Sequence, residues 1–206
     1  MSFYDRFILP RFIDFACGTE GFRNKRSQIL PMAYGDILEI GIGSGHNLEF
    51  YDETKVKTVR GIDPAEPSIK IAKQRLQNYN FPIKLDIGIA ENLPYEDQSF
   101  DSVVIGYSLC TIPNVDEAML EVRRVLKNEG IFLFTEHGLS PDPKVEAWQH
   151  RLTPTWKKIG GGCHLNRNIE LIISKSGFKF EQLQKKYIKG PKILTYNYYG
   201  KAVKSS

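Results

Sequence analysis

From residue 36 onward, short runs rich in Ile and Val alternate with amphipathic stretches, each run bounded by glycine, proline or a small polar residue. DILEIG (36–41), KTVRGID (57–63), IKLDIG (83–88), FDSVVIG (100–106) and GIFLFTEH (130–137) read as strands. Helices are predicted after GSGHN, over 66–79 and over 115–127. In the last, Val115, Met119, Val122 and Leu126 recur at helical spacing, and Gly130 stands just past the end. The alternation predicts an α/β fold: a doubly wound, Rossmann-like, mostly parallel sheet with helices on both faces.

After residue 137 the pattern breaks. GLSPDPKVEAWQHRLTPTWKKIGGGCH holds three prolines, two tryptophans and a triple glycine, which reads as an inserted cap over 138–165. A further helix is expected near 167–176. FKFEQLQKKY and TYNYYGKAVK then form a hairpin around a Gly-Pro turn, so the last of seven strands runs antiparallel to the rest. The whole chain, 1–206, reads as one domain with a helical arm over 1–34.

Composition adds limits. The chain has 206 residues, 41% apolar and 25% charged, which suits a globular domain with one sizeable core. The N-terminal stretch is broken by Asp5, Arg6, Arg11 and Asp14, well short of the roughly 20 apolar residues of a membrane span. Peripheral contact with a membrane stays open. Three dispersed cysteines, Cys17, Cys110 and Cys163, show no disulfide framework and no C-x-x-C pair, and fit a reducing cytoplasm. The formal charge of +4 gathers in RNKR (23–26) and in the lysine-rich tail, either as solvated surface or as a basic patch.

The candidate chemistry centres on the end of the first strand. Gly41, Gly43 and Gly45 follow it directly, at the edge where such sheets bind ligands, and glycine lets a ligand lie against bare backbone. The dinucleotide fingerprint G-x-G-x-x-G would need glycine at position 46, which is His46. Glu39 precedes the first glycine by two residues. A carboxylate there disfavours a pyrophosphate and favours S-adenosyl-L-methionine, with its sulfonium and amino charges. Asp63, followed by Pro64 at the end of the second strand, can accept from ribose hydroxyls or cap the next helix. Ala90 and Glu91 lie just past the third strand, where an adenine could be read.

Four stretches in order, LEIGIGSG, GIDPAEPSIKIAKQRL, AENLPYEDQSFDSVV and EVRRVLKNEGIFLF, resemble the class I S-adenosylmethionine-dependent methyltransferases. The resemblance covers about residues 36–137. It implies that fold, S-adenosyl-L-methionine as cofactor, S-adenosyl-L-homocysteine as product, and a cofactor set of Glu39, Gly41, Gly43, Gly45, Asp63, Pro64, Ala90, Glu91 and Tyr107. Ile89 departs from it, since relatives often carry an acid there. LTPTWKKIGGGCHLNR and YNYYGKAVK look like a smaller group, the alkyl thiol and quinone-biosynthesis methyltransferases. Animal members begin with a hydrophobic anchor that this chain lacks, so the resemblance implies a soluble relative and a small, apolar acceptor such as a thiol or a lipid or quinone precursor.

For the acceptor side, Tyr107, Ser108, Cys110, Glu136 and His137 fall at the ends of the fourth and fifth strands, with Cys163 and His164 in the cap. His137 and Tyr107 are the catalytic candidates, His137 as a base, as the partner of one, or as a histidine bonded to nearby backbone. Cys163 beside His164 shows no second metal-ligating pair, so no metal is expected. Trp148, Trp156 and FYDRFILPRF are candidates to roof the acceptor. No N/D-P-P-Y tetrapeptide or added binding module is present, which disfavours RNA or DNA methylation. A cofactor-binding module without catalysis and a nicotinamide oxidoreductase are the other readings.

Overall fold

The computed structural model describes Asp14 and residues 18–205. Cys17 and the aromatic stretch FYDRFILPRF lie outside them. The helices are α1 (Glu20–Ile29), α2 (Glu66–Arg75), α3 (Val115–Val125), α4 (Pro143–Ile159), α5 (Ile169–Lys175) and α6 (Lys192–Thr195). The strands are β1 (Gly35–Ile40), β2 (Val56–Asp63), β3 (Ile83–Ile87), β4 (Phe100–Gly106), β5 (Leu126–His137), β6 (Phe178–Tyr187) and β7 (Tyr196–Lys204). They form one sheet in the order β3-β2-β1-β4-β5-β7-β6. Pairings from β3 to β5 are parallel, and β7 runs antiparallel between β5 and β6.

Period-two alternation in the central strands gives the sheet two buried faces. Val103, Ile105, Phe132 and Phe134 pack with Met119 and Val122 of α3 and Ile169 and Ile173 of α5. Val104, Leu133 and Tyr199 face the other way, against Ile29 of α1 and Ile69 of α2. The doubly wound, seven-stranded architecture expected from the sequence is the one observed. α4 is attached differently. It buries Gln149 and Thr153, and the Gln149 amide accepts from Ser140 N (2.9 Å) and donates to Gly138 O (3.0 Å) and Ile193 O (3.1 Å). Its Asp142 cap accepts from Lys144 N.

Two expected boundaries are corrected. No α-helix follows GSGHN: the chain makes successive tight turns, Gly45 N to Ile42 O and Leu48 N to Gly45 O, and one 3₁₀ turn at Leu48–Phe50. Turns that close three residues back leave no register for a continuous helix. The fifth strand starts at Leu126, directly after α3, because Leu126 is already extended and pairs with Phe100; Gly130 lies inside the strand.

Gly200 sits in the middle of β7, facing Phe134 on one side and Leu183 on the other. β6 is irregular between Phe180 and Gln182, and this swings the Gln182 carbonyl over Gly200, so that a Cβ there would overlap it. Gly200→Ala is expected to lower the unfolding free energy by about 2 kcal/mol, as overpacking does. Urea titration checks this.

Candidate active site

A cavity of about 740 Å³ runs along the carboxyl ends of β1, β2 and β4. Its floor is the glycine loop. Gly41 has φ +71° and a Cβ there would overlap the Ser108 hydroxyl, so the loop and the β4 end approach each other only without a side chain. Gly43 has φ +54°, and a Cβ built on it meets nothing nearer than Gly41 O at 4.0 Å. That space belongs to the cavity, and a ligand can fill it.

Asp63 joins the loop to β2. Its Oδ2 accepts from Gly43 N at 2.9 Å and its Oδ1 from Ala65 N at 2.8 Å, at the entrance to α2. The carboxylate therefore closes a turn ahead of α2 and lines the cavity; the N-cap position of α2 is Ala65, with no side-chain cap bond, so Asp63 does not cap the helix. Burial pushes its pKa above the usual carboxylate range, against the two amide bonds that hold the anion. Pro64, Ala90, Glu91 and Tyr107 also line the cavity, as does Ile89, half exposed.

Glu39 and Gly45 are not among the lining residues. Gly45 turns at φ +81° against Leu48 and Ala72. The Glu39 carboxyl is fully buried beneath the loop, accepting from Asn47 Nδ2 (2.9 Å) and Tyr51 Oη (2.6 Å). Burial raises it to about 7 despite both bonds and the Arg26 charge. From the other side Asp14 grips the loop, accepting from Ser44 Oγ (2.5 Å) and pairing with His46 Nε2 (2.7 Å) and Arg75 Nη2 (3.0 Å).

On the β4 side Tyr107 adopts φ +58°, a left-handed conformation rare for a bulky residue, and its hydroxyl donates to Asn197 Oδ1 at 2.7 Å. Phe22 meets its ring edge-on at 4.5 Å between centroids, and the Arg26 guanidinium carbon lies 5.1 Å from its centre. Arg26 also lines the cavity, although only 3% exposed. RNKR is thus neither plain surface nor an external patch: Lys25 and Arg26 are buried, carried inward on α1 beside Ile29. No local motif announces this. The next two amides, Ser108 N and Leu109 N, donate to Glu136 Oε1 at 2.7 and 2.9 Å. Burial raises Glu136 to about 7 against these bonds.

His137 lies behind the cavity wall, its Nε2 3.2 Å from Cys163 Sγ. Burial opposes its protonation, but the Cys163 contact and Glu136 outweigh that and raise its pKa. Cys110 completes the group, and its hydrogen bond, with that of His137, lowers the Cys163 thiol well below its ordinary range against burial. The neighbour in sequence, His164, turns away to the Cys110 carbonyl at 3.0 Å. The grouping escaped sequence reading because its members come from three distant segments. Of the proposed roof, Trp148 is 51% exposed under Arg151, and neither tryptophan lines the cavity. Thr111, Ile112 and Gly161 line it instead.

The family profile described as a methyltransferase domain matches residues 38–134. Thiol S-methyltransferase TMT1B of Rattus norvegicus is 35% identical over 153 residues, 72% of this chain and 62% of that protein. This chain thus spans less than two thirds of that relative. Thiol S-methyltransferase TMT1A of Homo sapiens is 30% identical over 193 residues, 90% of this chain and 77% of that protein. Demethylmenaquinone methyltransferase of Lactobacillus johnsonii is 32% identical over 154 residues, 70% and 63% of the two chains. Among solved structures, a SAM-dependent methyltransferase from Methanosarcina mazei has a TM-score of 0.67 at 22% identity, covering 82% of this chain and 92% of its own. Among the described residues no helix is long and apolar enough to cross a membrane.

Glu39 makes stability depend on pH. A carboxyl raised from 4.5 to about 7 contributes stability that is complete below pH 4.5 and lost as pH rises through 7. Glu39→Gln removes this dependence. Between pH 5 and pH 8 the unfolding free energy of the variant is expected to gain on the order of 2 kcal/mol on the unsubstituted protein. A difference that does not change with pH, measured by urea titration, would refute the assignment.

Proposed function

Because this chain belongs to the class I S-adenosylmethionine-dependent methyltransferases, we propose that it methylates the sulfur of a small, apolar thiol. The thiol S-methyltransferases matched over 72% and 90% of this chain support this acceptor, and the cavity, lined in part by the apolar Ile112, has room beside the cofactor residues. The single observation that carries the cofactor assignment is the open space over Gly43 beside the Asp63 carboxylate. It is the cradle that the cofactor requires.

When bound, S-adenosylmethionine supplies a methyl carbon already activated by its sulfonium. The protein's residues have the remaining tasks. Asp63 offers its remaining lone pairs to ribose hydroxyls while keeping the loop closed. Gly41 and Gly43 leave backbone for the amino-acid portion, and Ala90 and Glu91 flank the adenine end. Glu39 sets a buried negative field under the loop that favours a cationic ligand. Tyr107, fixed by Asn197 and Phe22, positions the boundary between cofactor and acceptor.

An acceptor thiol with a pKa near 8.5 is only a few per cent thiolate at neutral pH. Arg26 brings a guanidinium to the cavity wall, and its field lowers the cost of the anion, so a strong base is unnecessary. Alignment itself can supply roughly 7–11 kcal/mol in favourable systems.

Asp63→Ala is expected to weaken S-adenosyl-L-homocysteine binding by about 10–100-fold, the worth of a charged hydrogen bond, and to lower Tm, because Gly43 N and Ala65 N lose their acceptor. Calorimetry checks this, and unchanged affinity would remove the ribose assignment. A screen of thiols, quinone precursors, phospholipid head groups and RNA, read as S-adenosyl-L-homocysteine released, should show turnover on thiols. Turnover on quinone precursors alone would replace the acceptor. With a thiol acceptor, Arg26→Gln should move the rising limb of kcat/KM to higher pH.

A further inference from the structure

Cys110 from the loop after β4, His137 from the end of β5 and Cys163 from the cap converge from three remote parts of the chain. Each offers a ligand atom, and all three atoms lie within 4.8 Å of one another. Cys110 and His137 are 3% and 8% exposed, and the Cys163 sulfur turns inward to within 3.2 Å of His137 Nε2. We propose that these residues form a binding site for a thiophilic divalent cation, Zn²⁺ in the first instance, with a fourth position left to a non-protein ligand.

The spacing fits. Around tetrahedral zinc, bond lengths of about 2.3 Å to sulfur and 2.0–2.1 Å to nitrogen place a sulfur and a nitrogen roughly 3.5 Å apart and two sulfurs roughly 3.8 Å apart. The observed 3.2 Å contact and the 4.8 Å limit need only small adjustments. Two thiols and an imidazole are also a set that selects zinc over the hard cations bound by oxygen. Binding displaces the thiol protons, and the buried Trp156 Nε1–H, which lies beside Cys163, is placed to donate to the thiolate.

The frame is held before any ion arrives. Arg167, just beyond the cap, donates to Leu109 O and, at 2.7 Å, to Ile112 O, on either side of Cys110. His164 N donates to Cys110 O at 2.8 Å. A bound cation would therefore tie the cap to the sheet edge directly behind Gly161, which lines the cavity. The site stands whatever acceptor the enzyme uses.

The test takes the full-length protein, reduced and stripped of metal, and titrates it with Co²⁺ and then Zn²⁺. A single equivalent of Co²⁺ should bring thiolate-to-cobalt charge-transfer bands and the strong visible bands of a tetrahedral centre, which Zn²⁺ then abolishes. Cys163→Ala and His137→Gln, shown by circular dichroism to be folded, should each weaken Zn²⁺ binding by more than about 100-fold, beyond the cost of losing an outer partner. Cys17→Ser should leave it unchanged. Absence of the bands, their persistence in Cys163→Ala, or a Cys110–Cys163 disulfide in the untreated protein by intact mass would each overturn the proposal.

Discussion

The hydrogen bond from Gly43 N to Asp63 Oδ2 is the constraint on which the site depends. It ties the loop leaving β1 to the end of β2, fixes the glycine turn without an α-helix behind it, and leaves the remaining carboxylate lone pairs facing the cavity. Two further buried acids act in the same way. Glu136 at the end of β5 holds the Ser108 and Leu109 amides of the loop after β4. Glu39 near the end of β1 holds Asn47 and Tyr51 under its own loop. Three strands thus end in carboxylates that spend hydrogen bonds on loop geometry, and the cavity wall is their product.

This arrangement has an electrostatic side. Glu39 and Glu136 are both raised to about 7 by burial, and Asp63 is raised as well. Negative charge is costly at this edge until a positive partner shares it. Arg26, brought in by α1, is one such partner for Glu39. A cationic ligand over the loop is another, so the anionic forms that weaken the empty fold are those that favour the occupied one.

Much of the architecture was legible in the residues. The Ile and Val runs marked the central strands because both faces of a parallel sheet are covered, and the Gly-Pro turn marked the antiparallel close. The glycines were legible as a ligand-binding loop and Asp63 as an acid at a strand end because backbone conformation and strand-end position are local properties, whereas the bond from Gly43 N to Asp63 was not. What was not legible depends on distant partners. The helix expected after GSGHN failed because Glu39 and Asp14 claim the loop's side chains for turns. Arg26 looked like surface because nothing in RNKR reveals the Tyr107 ring beside it. Cys163 read as lacking metal-ligating partners because Cys110 and His137 lie 53 and 26 residues earlier in the chain.

The order of the last two strands bears on how the protein is made. β7 follows β6 in the chain but lies between β5 and β6 in the sheet. During synthesis β6 therefore emerges with no neighbour to join, and the outer edge of β5 stays bare until residues 196–204 leave the ribosome. The nascent chain must keep both edges from wrong partners through that interval, and the lysines of β6, Lys179, Lys185 and Lys186, supply charge on one of them.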